Sequence, residues 1–318
     1  MGLEEIKARI RSLPEVAAWP EMLDLIERVN PRDSLAVWDY PAIACQAVGG
    51  EAAAALPGGA AVFCSLVSIH LVDDMLDEDP KGDYHRLGAG RAGNLALAFQ
   101  AAGHLLLDDP AIPEADRAAL QASLVRMALA TAYGQGLDAG GVADEAEYWR
   151  VVEAKTPPLF GAALHLGALL GGASAEIARG LDRIGQALGR LVQVTDDLSD
   201  ALRTPAGVDW RRPFNNLPML YALTAEHAER ACFRDLARRI AEPADLASAQ
   251  EVLLHSGAFS YCAFKMVEFS QEARSLLAGL ALADSGPIER LVDSHLAPLE
   301  RLLASLRADK PVALSPGS

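Results

Sequence analysis

The chain has 318 residues, 51% of them hydrophobic, with 28 basic and 43 acidic side chains and a formal net charge of -15. That length and apolar content exclude a disordered chain and allow one or two domains around a large core. The acidic balance argues against nucleic acid, whose phosphates need a clustered basic footprint, and against broad electrostatic docking on anionic lipid. An anionic substrate remains compatible where divalent metal bridges it to acidic side chains.

In chain order, the opening MGLEEIKARIRSLPEV predicts an amphipathic helix or arm over residues 1–20. It lacks the apolar core of a secretory signal. Met1-Gly2 begins like a myristoylation signal, but Ile6 stands where Ser or Thr is needed. The uncharged stretch from Ala52 to Val72 has the length of a membrane span. Pro57, Gly58 and Gly59 interrupt it, and it runs into Asp73 and Asp74, so it predicts a buried helix ending at a polar site. No integral membrane segment is expected, and the cytoplasm is the expected location. Asp108-Asp109-Pro110 predicts a capped helix end. Ile177, Leu181, Ile184, Leu188, Leu191 and Val192 repeat at helical spacing, as do Leu291, Leu296, Leu299, Leu302 and Leu303. Gly and Pro clusters punctuate the chain, alanine and leucine dominate, and no segment alternates like a strand. These features predict an all-α fold: one large helical bundle over residues 1–318, with 309–318 a flexible tail. Cys45, Cys64, Cys232 and Cys262 lack metal-ligand or redox spacing and are expected as buried apolar thiols in a reducing compartment.

Two segments echo each other. Leu71 to Asp79 reads LVDDMLDED, and Gln193 to Ala201 reads QVTDDLSDA. On a helix, Asp73 and Asp77 share a face with Asp74 beside them, and Asp196 and Asp200 share a face with Asp197 beside them. Like charges at this spacing destabilise a bare helix, so a compensating cation is expected. Oxygen ligands suit Mg²⁺, which uses one or two carboxylates, waters and phosphate oxygens. A solvated helix end explains a single such string; two, each after an apolar run, point to paired metal-binding faces around a diphosphate. Lys155, in an apolar setting, needs an anion. A substrate phosphate, Glu153 or an aspartate on another helix would serve. Pro157 and Pro158 predict a helix break just beyond it.

This ordered set resembles the trans-isoprenyl diphosphate synthase (polyprenyl synthetase) family. The resemblance rests on Asp73-Asp74-Met75-Leu76-Asp77, Lys155-Thr156 with Leu159-Phe160, Gln193 through Asp200, Gly134-Gln135 and Leu217-Pro218. It implies an all-α isoprenoid synthase fold of about a dozen helices, a homodimer, and an allylic prenyl diphosphate substrate. It further implies that Asp73, Asp77 and Asp196 ligate Mg²⁺, with three ions once substrate is bound. Asp74, Asp197 and Asp200 would stand nearby, and Lys155, Thr156 and Gln193 would contact the diphosphate. Ionisation would then give an allylic cation and pyrophosphate, with an apolar cavity keeping water away.

The departures from that family matter as much. Chain-elongating members carry a Gly-Lys-x-Arg-type segment that grips isopentenyl diphosphate; here the matching stretch is Ala36-Val37-Trp38-Asp39-Tyr40-Pro41. The Arg-Arg-Gly expected after the first motif is shortened to Pro80-Lys81-Gly82, and Phe214-Asn215 replace a later lysine. Lys81, Arg86 and Arg91 are candidates for a substitute acceptor site, and Arg203, Arg211 or Arg212 for the missing diphosphate contact. Trp38 and Tyr40 are expected either to face the carbocation or to pack in the core. Ser65, Ser68 and Ile69 are not bulky aromatics, and by the family resemblance this implies a pocket deep enough for a chain of fifteen carbons or more. Retained metal faces beside a depleted acceptor site favour a terpene synthase. A prenyltransferase that elongates chains or joins them irregularly is the alternative, and a non-catalytic partner subunit is a third.

Overall fold

The computed structural model describes residues 2–29 and 36–307, with side chains described as far as Ala297. The expected tail, 309–318, lies outside the described residues. Three N-terminal helices, α1 (Leu3–Arg11), α2 (Pro14–Ala17) and α3 (Pro20–Arg28), are followed by a 3-10 turn (Val37–Asp39) and α4 (Tyr40–Ala47). Then come α5 (Leu56–Leu76), α6 (Tyr84–Leu87), α7 (Ala89–Leu107), α8 (Glu114–Ala139), α9 (Glu145–Lys155) and α10 (Pro157–Leu170). Helix α11 (Ala175–Ala201) leads to two 3-10 turns, Val208–Arg211 and Pro213–Asn215, and to α12 (Leu217–Thr224). Helices α13 (Arg230–Leu236), α14 (Pro243–His255), α15 (Ala258–Ala278) and α16 (Gly286–Arg307) complete the chain. Among the described residues there is no strand, as expected of an all-α bundle.

Helix α5 packs on α1, α7, α8 and α10, and α10 on α4, α8 and α11; α15 closes the far side of α11. This central place explains why α5 has no polar face along most of its length: Gly58 through Ser68 are all buried. It is long and apolar enough to cross a membrane, yet 67% of its most apolar window is buried inside the fold. Its apolar stretch is core, and its last turn carries Asp73 and Asp74 to the rim of a cavity. The helix ends at Asp77, and Glu78 takes a left-handed φ of 53° that turns the chain away.

The chain bends between α9 and α10 as Pro157 and Pro158 predict. Proline at the first turn of α10 costs no hydrogen bond, because the leading N–H groups of a helix are unpaired in any case. The Asp108-Asp109 pair stands just past α7, where Asp109 accepts from the Ala111 N–H at 2.8 Å and pairs with Arg9 at 2.6 Å. Three cysteines are buried as expected, but Cys232 is exposed. On short α13 it is Phe233 and Leu236 that turn inward, which leaves Cys232 on the solvent side.

Candidate active site

One cavity of about 500 Å³ opens between α5, α8, α9, α10, α11 and the 3-10 turns that follow α11. Both aspartate clusters line it: Asp73, Asp74 and Asp77 from α5, and Asp196, Asp197 and Asp200 from α11. Lys155, Thr156, Gln193, Arg203, Arg211 and Arg212 share the lining. Its apolar part is made by Val37, Leu66, Ile69, Leu159, Phe160 and Val192. The cavity is therefore acidic and metal-capable at one end and greasy at the other, the polarity required by a diphosphate carrying a prenyl chain.

Lys155 is the junction of the site. Its Nζ lies 2.9 Å from Asp73 Oδ1 and 2.6 Å from Asp138 Oδ2. Of the partners open to it in the sequence, aspartates on neighbouring helices hold it, while Glu153 pairs with Arg190 instead. Burial opposes its charge, but Asp73, Asp138 and Asp77 outweigh that and hold the ammonium above its usual range. The contact is close because Gly134 lets α8 press on α9: a Cβ there would sit 2.4 Å from the Lys155 backbone N. The next residue, Gln135, donates to the Ile69 carbonyl at 3.3 Å and so ties α8 to α5.

Asp138 was not legible as a site residue. Its carboxylate lies with those of Asp73 and Asp77, ligand oxygens within 4.8 Å of one another, so these three can hold a cation. Asn215, which stands where the family resemblance expects a lysine, donates to Asp138 Oδ1 at 2.7 Å and to its carbonyl at 2.9 Å. Asp209, also unforeseen, lines the cavity and accepts from Asn216 at 2.9 Å.

The six motif aspartates differ in what surrounds them. Asp197 is buried and saturated: it accepts from Tyr148 Oη at 2.6 Å, the Leu217 N–H at 2.7 Å and Gln193 Nε2 at 2.8 Å. Gln193 in turn accepts from Thr156 Oγ1 at 2.6 Å. This network braces α11 against α9 and α12, so Asp197 positions the site rather than offering free oxygens. Asp196 opens onto the cavity, accessible to solvent although protein surrounds it. That enclosure, then Asp197, Asp200 and Asp209, push its carboxyl up to about 8. Burial and neighbouring carboxylates raise Asp74, Asp77 and Asp200 to about 6; burial outweighs three hydrogen bonds to bring Asp197 to about 7. Hard oxygen donors, crowded until they resist ionisation, fit Mg²⁺.

A pH dependence follows from these directions. Each of these carboxyls binds its proton more tightly folded than unfolded, so its stabilising contribution is complete below the ordinary aspartate range and is lost as pH rises toward about 8. The Tm of metal-free protein should fall between pH 5 and pH 8.5, and added Mg²⁺ should raise Tm most at the alkaline end. Differential scanning fluorimetry across that range, with EDTA or with Mg²⁺, checks it; a metal-free Tm that rises with pH would contradict the crowding.

Six expected substrate contacts lie elsewhere. Trp38 is 1% exposed and packs on Phe63 at 5.6 Å between ring centroids, and Tyr40 is buried against Phe160 and hydrogen-bonded to His295. Both belong to the core, the second of the two roles open to them, and of this segment Val37 reaches the cavity. Ser68 is buried with its Oγ donating to the Ala96 carbonyl at 2.9 Å, because the phase of α5 turns Leu66, Asp73 and Asp77 to the cavity and Ser68 toward α7. Lys81 is exposed and does not line the cavity. Nor does Arg86, which pairs with Asp24 and Asp83 at 2.9 Å, and Arg91 is likewise exposed away from it. Arg212 does reach the first motif, its Nη1 3.4 Å from Asp77 Oδ1, and Arg203 lies 3.6 Å from Asp200.

A helical bundle with two aspartate-bearing helices and a lysine around one apolar-ended cavity defines an all-α isoprenoid synthase fold. A family model described as polyprenyl synthetase matches residues 84–253, beginning beyond the first aspartate motif and including Lys155 and the second. The chain belongs to that family, the trans-isoprenyl diphosphate synthases. It is 32% identical to nonaprenyl diphosphate synthase of Mycobacterium tuberculosis over 139 residues, 42% of each chain. It is 29% identical to farnesyl diphosphate synthase of Geobacillus stearothermophilus over 235 residues, 64% of this chain and 76% of that one. A third relative, geranylfarnesyl diphosphate synthase of Aeropyrum pernix, is 29% identical over 46% of this chain and 48% of its own. The chain thus spans less than half the length of two of these relatives. Among solved structures, geranylgeranyl pyrophosphate synthetase from Pyrococcus horikoshii superposes with a TM-score of 0.78 at 19% identity, covering 92% of this chain and 95% of that one.

Proposed function

We propose that this chain is a Mg²⁺-dependent prenyltransferase that ionises an allylic prenyl diphosphate and joins the prenyl cation to an acceptor. The observation that carries it is the meeting of both aspartate clusters and Lys155 in one cavity with an apolar end. Asp73, Asp77 and Asp138 on one side and Asp196 on the other are the residues that would hold metal. Bound Mg²⁺ would act as a Lewis acid toward the departing diphosphate. Lys155 supplies a fixed positive charge beside the leaving group. Thr156 and Gln193 orient the diphosphate, and Asp197 holds Gln193 in place. Val37, Leu66, Leu159 and Phe160 surround the chain and keep water from the cation.

The relatives weigh against the terpene synthase that the depleted acceptor segment favours. They are named nonaprenyl, geranylfarnesyl and farnesyl diphosphate synthases, all builders of prenyl chains. Arg203, Arg211 and Arg212 at the cavity offer cationic charge for a second diphosphate. Incubation with Mg²⁺ and farnesyl or geranylgeranyl diphosphate, with and without isopentenyl diphosphate, tests this. A longer diphosphate formed only with isopentenyl diphosphate supports it. A hydrocarbon or terpene alcohol formed without isopentenyl diphosphate would replace it with the terpene synthase, and metal-dependent pyrophosphate release of either kind eliminates a non-catalytic subunit.

The chain is further proposed to be a homodimer through α7 and α8. Leu97 and Leu105 on α7 and Val125, Leu129 and Tyr133 on α8 are 47–72% exposed, an apolar face that water alone would leave costly. Light scattering should give twice the chain mass for the wild type and the monomer mass for Leu129→Asp; a monomeric wild type would contradict it.

A further inference from the structure

The apolar end of the cavity closes within two turns of the aspartates. Counted away from them, the last residues to line it are Leu66 on α5, Phe160 on α10 and Val192 on α11, with Val37 from the turn before α4. Leu66 stands seven residues before Asp73, about 10 Å along a helix that rises about 1.5 Å per residue. An isoprene unit adds four chain bonds, about 5 Å when extended. Two extended units therefore reach the floor, and a third has to bend. The α5 residues ahead of the first motif do not explain this stop. Of Ser65, Ser68 and Ile69, Ile69 lines the cavity, while Ser65 Oγ donates to the Ala61 carbonyl at 3.0 Å and Ser68 Oγ to the Ala96 carbonyl at 2.9 Å.

Phe160 is held from behind. Its carbonyl is pressed by α11, where a Cβ on Gly185 would stand 2.3 Å away. Its ring meets the edge of Tyr40, with centroids 5.5 Å apart and planes at 70°. Tyr40 is hydrogen-bonded to His295 on α16, and all three side chains are buried. Burial lowers His295 to about 4 and holds Tyr40 above its usual range, so the pair carries no charge into the core. Neither Tyr40 nor His295 lines the cavity, so contact with the diphosphate does not account for them. We propose that Phe160 is the floor that limits the prenyl chain, and that the Tyr40–His295 pair fixes it there, so that α4 and α16 set the accepted length rather than the residues ahead of Asp73; this rests on the reading of the cavity as a prenyl diphosphate site. The segment that lacks the basic grip expected by resemblance thereby acquires a role: Val37 lines the closed end, and Tyr40 backs it.

Calorimetric titration with Mg²⁺ and the thiolodiphosphate analogues of farnesyl and geranylgeranyl diphosphate reads chain length without turnover. The wild type should bind the farnesyl analogue about 10-fold more tightly than the geranylgeranyl one. Phe160→Ala should abolish that preference by tightening the longer analogue. Tyr40→Phe, which deletes the hydroxyl and keeps the ring, should narrow the preference about 3-fold. Circular dichroism identifies the variants that retain the fold, and Phe160→Leu, which keeps an apolar side chain in the core, reads the same ratio should Phe160→Ala not fold. Equal affinities in the wild type, or an unchanged preference in a folded Phe160 variant, would overturn the proposal. A preference unchanged in Tyr40→Phe would overturn the part given to the pair. If neither analogue binds the wild type, the prenyl diphosphate reading of the cavity fails, an outcome distinct from binding that ignores chain length.

Discussion

Asp73→Ala and Asp196→Ala will each lower metal-dependent pyrophosphate release by on the order of 10³-fold, the equivalent of several kcal/mol of lost charge neutralisation. Their far-ultraviolet circular dichroism should match the wild type. Both side chains face the cavity, so truncation removes a charge without opening a void in the core. Burial and the neighbouring carboxylates already disfavour the ionised form of Asp196, so the metal-free Asp196→Ala variant should melt no lower than the wild type and should melt higher at pH 8, whereas Asp73→Ala removes the 2.9 Å ion pair with Lys155 and should lower the metal-free Tm. Asp197→Ala offers the contrast. It would strand the Tyr148 hydroxyl, the Leu217 N–H and the Gln193 amide, and so lower Tm along with activity. Steady-state pyrophosphate release with thermal melts of the three variants checks this; wild-type turnover in Asp73→Ala and Asp196→Ala would remove the metal assignment.

Lys155→Met should cost about 10² to 10³-fold in turnover, the usual loss when one preorganised charge is taken from a developing anion. It should also act on metal binding. Without substrate, the Lys155 ammonium sits 2.9 Å from Asp73 and 2.6 Å from Asp138, two of the three carboxylates that can share a cation. A fixed charge there competes with a divalent ion for the same oxygens. Lys155→Met should therefore bind Mn²⁺ more tightly than the wild type when no diphosphate is present, although it is the poorer catalyst. Electron paramagnetic resonance titration of free Mn²⁺ reads this directly, and an affinity equal to or weaker than that of the wild type would contradict the competition.

The local part of this site was legible in the sequence because helix geometry is local. Asp73 with Asp77 and Asp196 with Asp200 share faces by spacing alone, and two apolar runs ahead of them showed which ends face inward. The break at Thr156 followed from two prolines. What spacing cannot supply is distance across the bundle. Asp138, Asp209 and Asn215 meet Lys155 or the aspartates only because α8 and the 3-10 turns after α11 close on the cavity. The one signal near Asp138 was Gly134, the small residue that permits the approach to Lys155. Trp38 and Tyr40 could not be assigned from identity, since an aromatic suits a core and a cation equally well; burial against Phe63 and Phe160 decided for the core. Ser68 was misplaced for a different reason: counting back from the aspartates identifies the right turn of α5 but not its phase, which gives the cavity to Ile69 and His70. The preference for a terpene synthase rested on the basic residues absent around Trp38 and Lys81, whereas Arg203, Arg211 and Arg212, the residues open in the sequence to supply the missing diphosphate contact, do line the cavity.

The account stands on a diphosphate held by divalent metal between α5 and α11. A crystal structure with Mn²⁺ and a thiolodiphosphate analogue of farnesyl diphosphate measures that directly through manganese anomalous scattering. Anomalous peaks bridging the diphosphate to Asp73 and Asp77 on one side and to Asp196 on the other, with the prenyl chain running past His70 toward Leu66 and Phe160, are the predicted result. A diphosphate bound away from these aspartates, or seated among them with no metal, would contradict it.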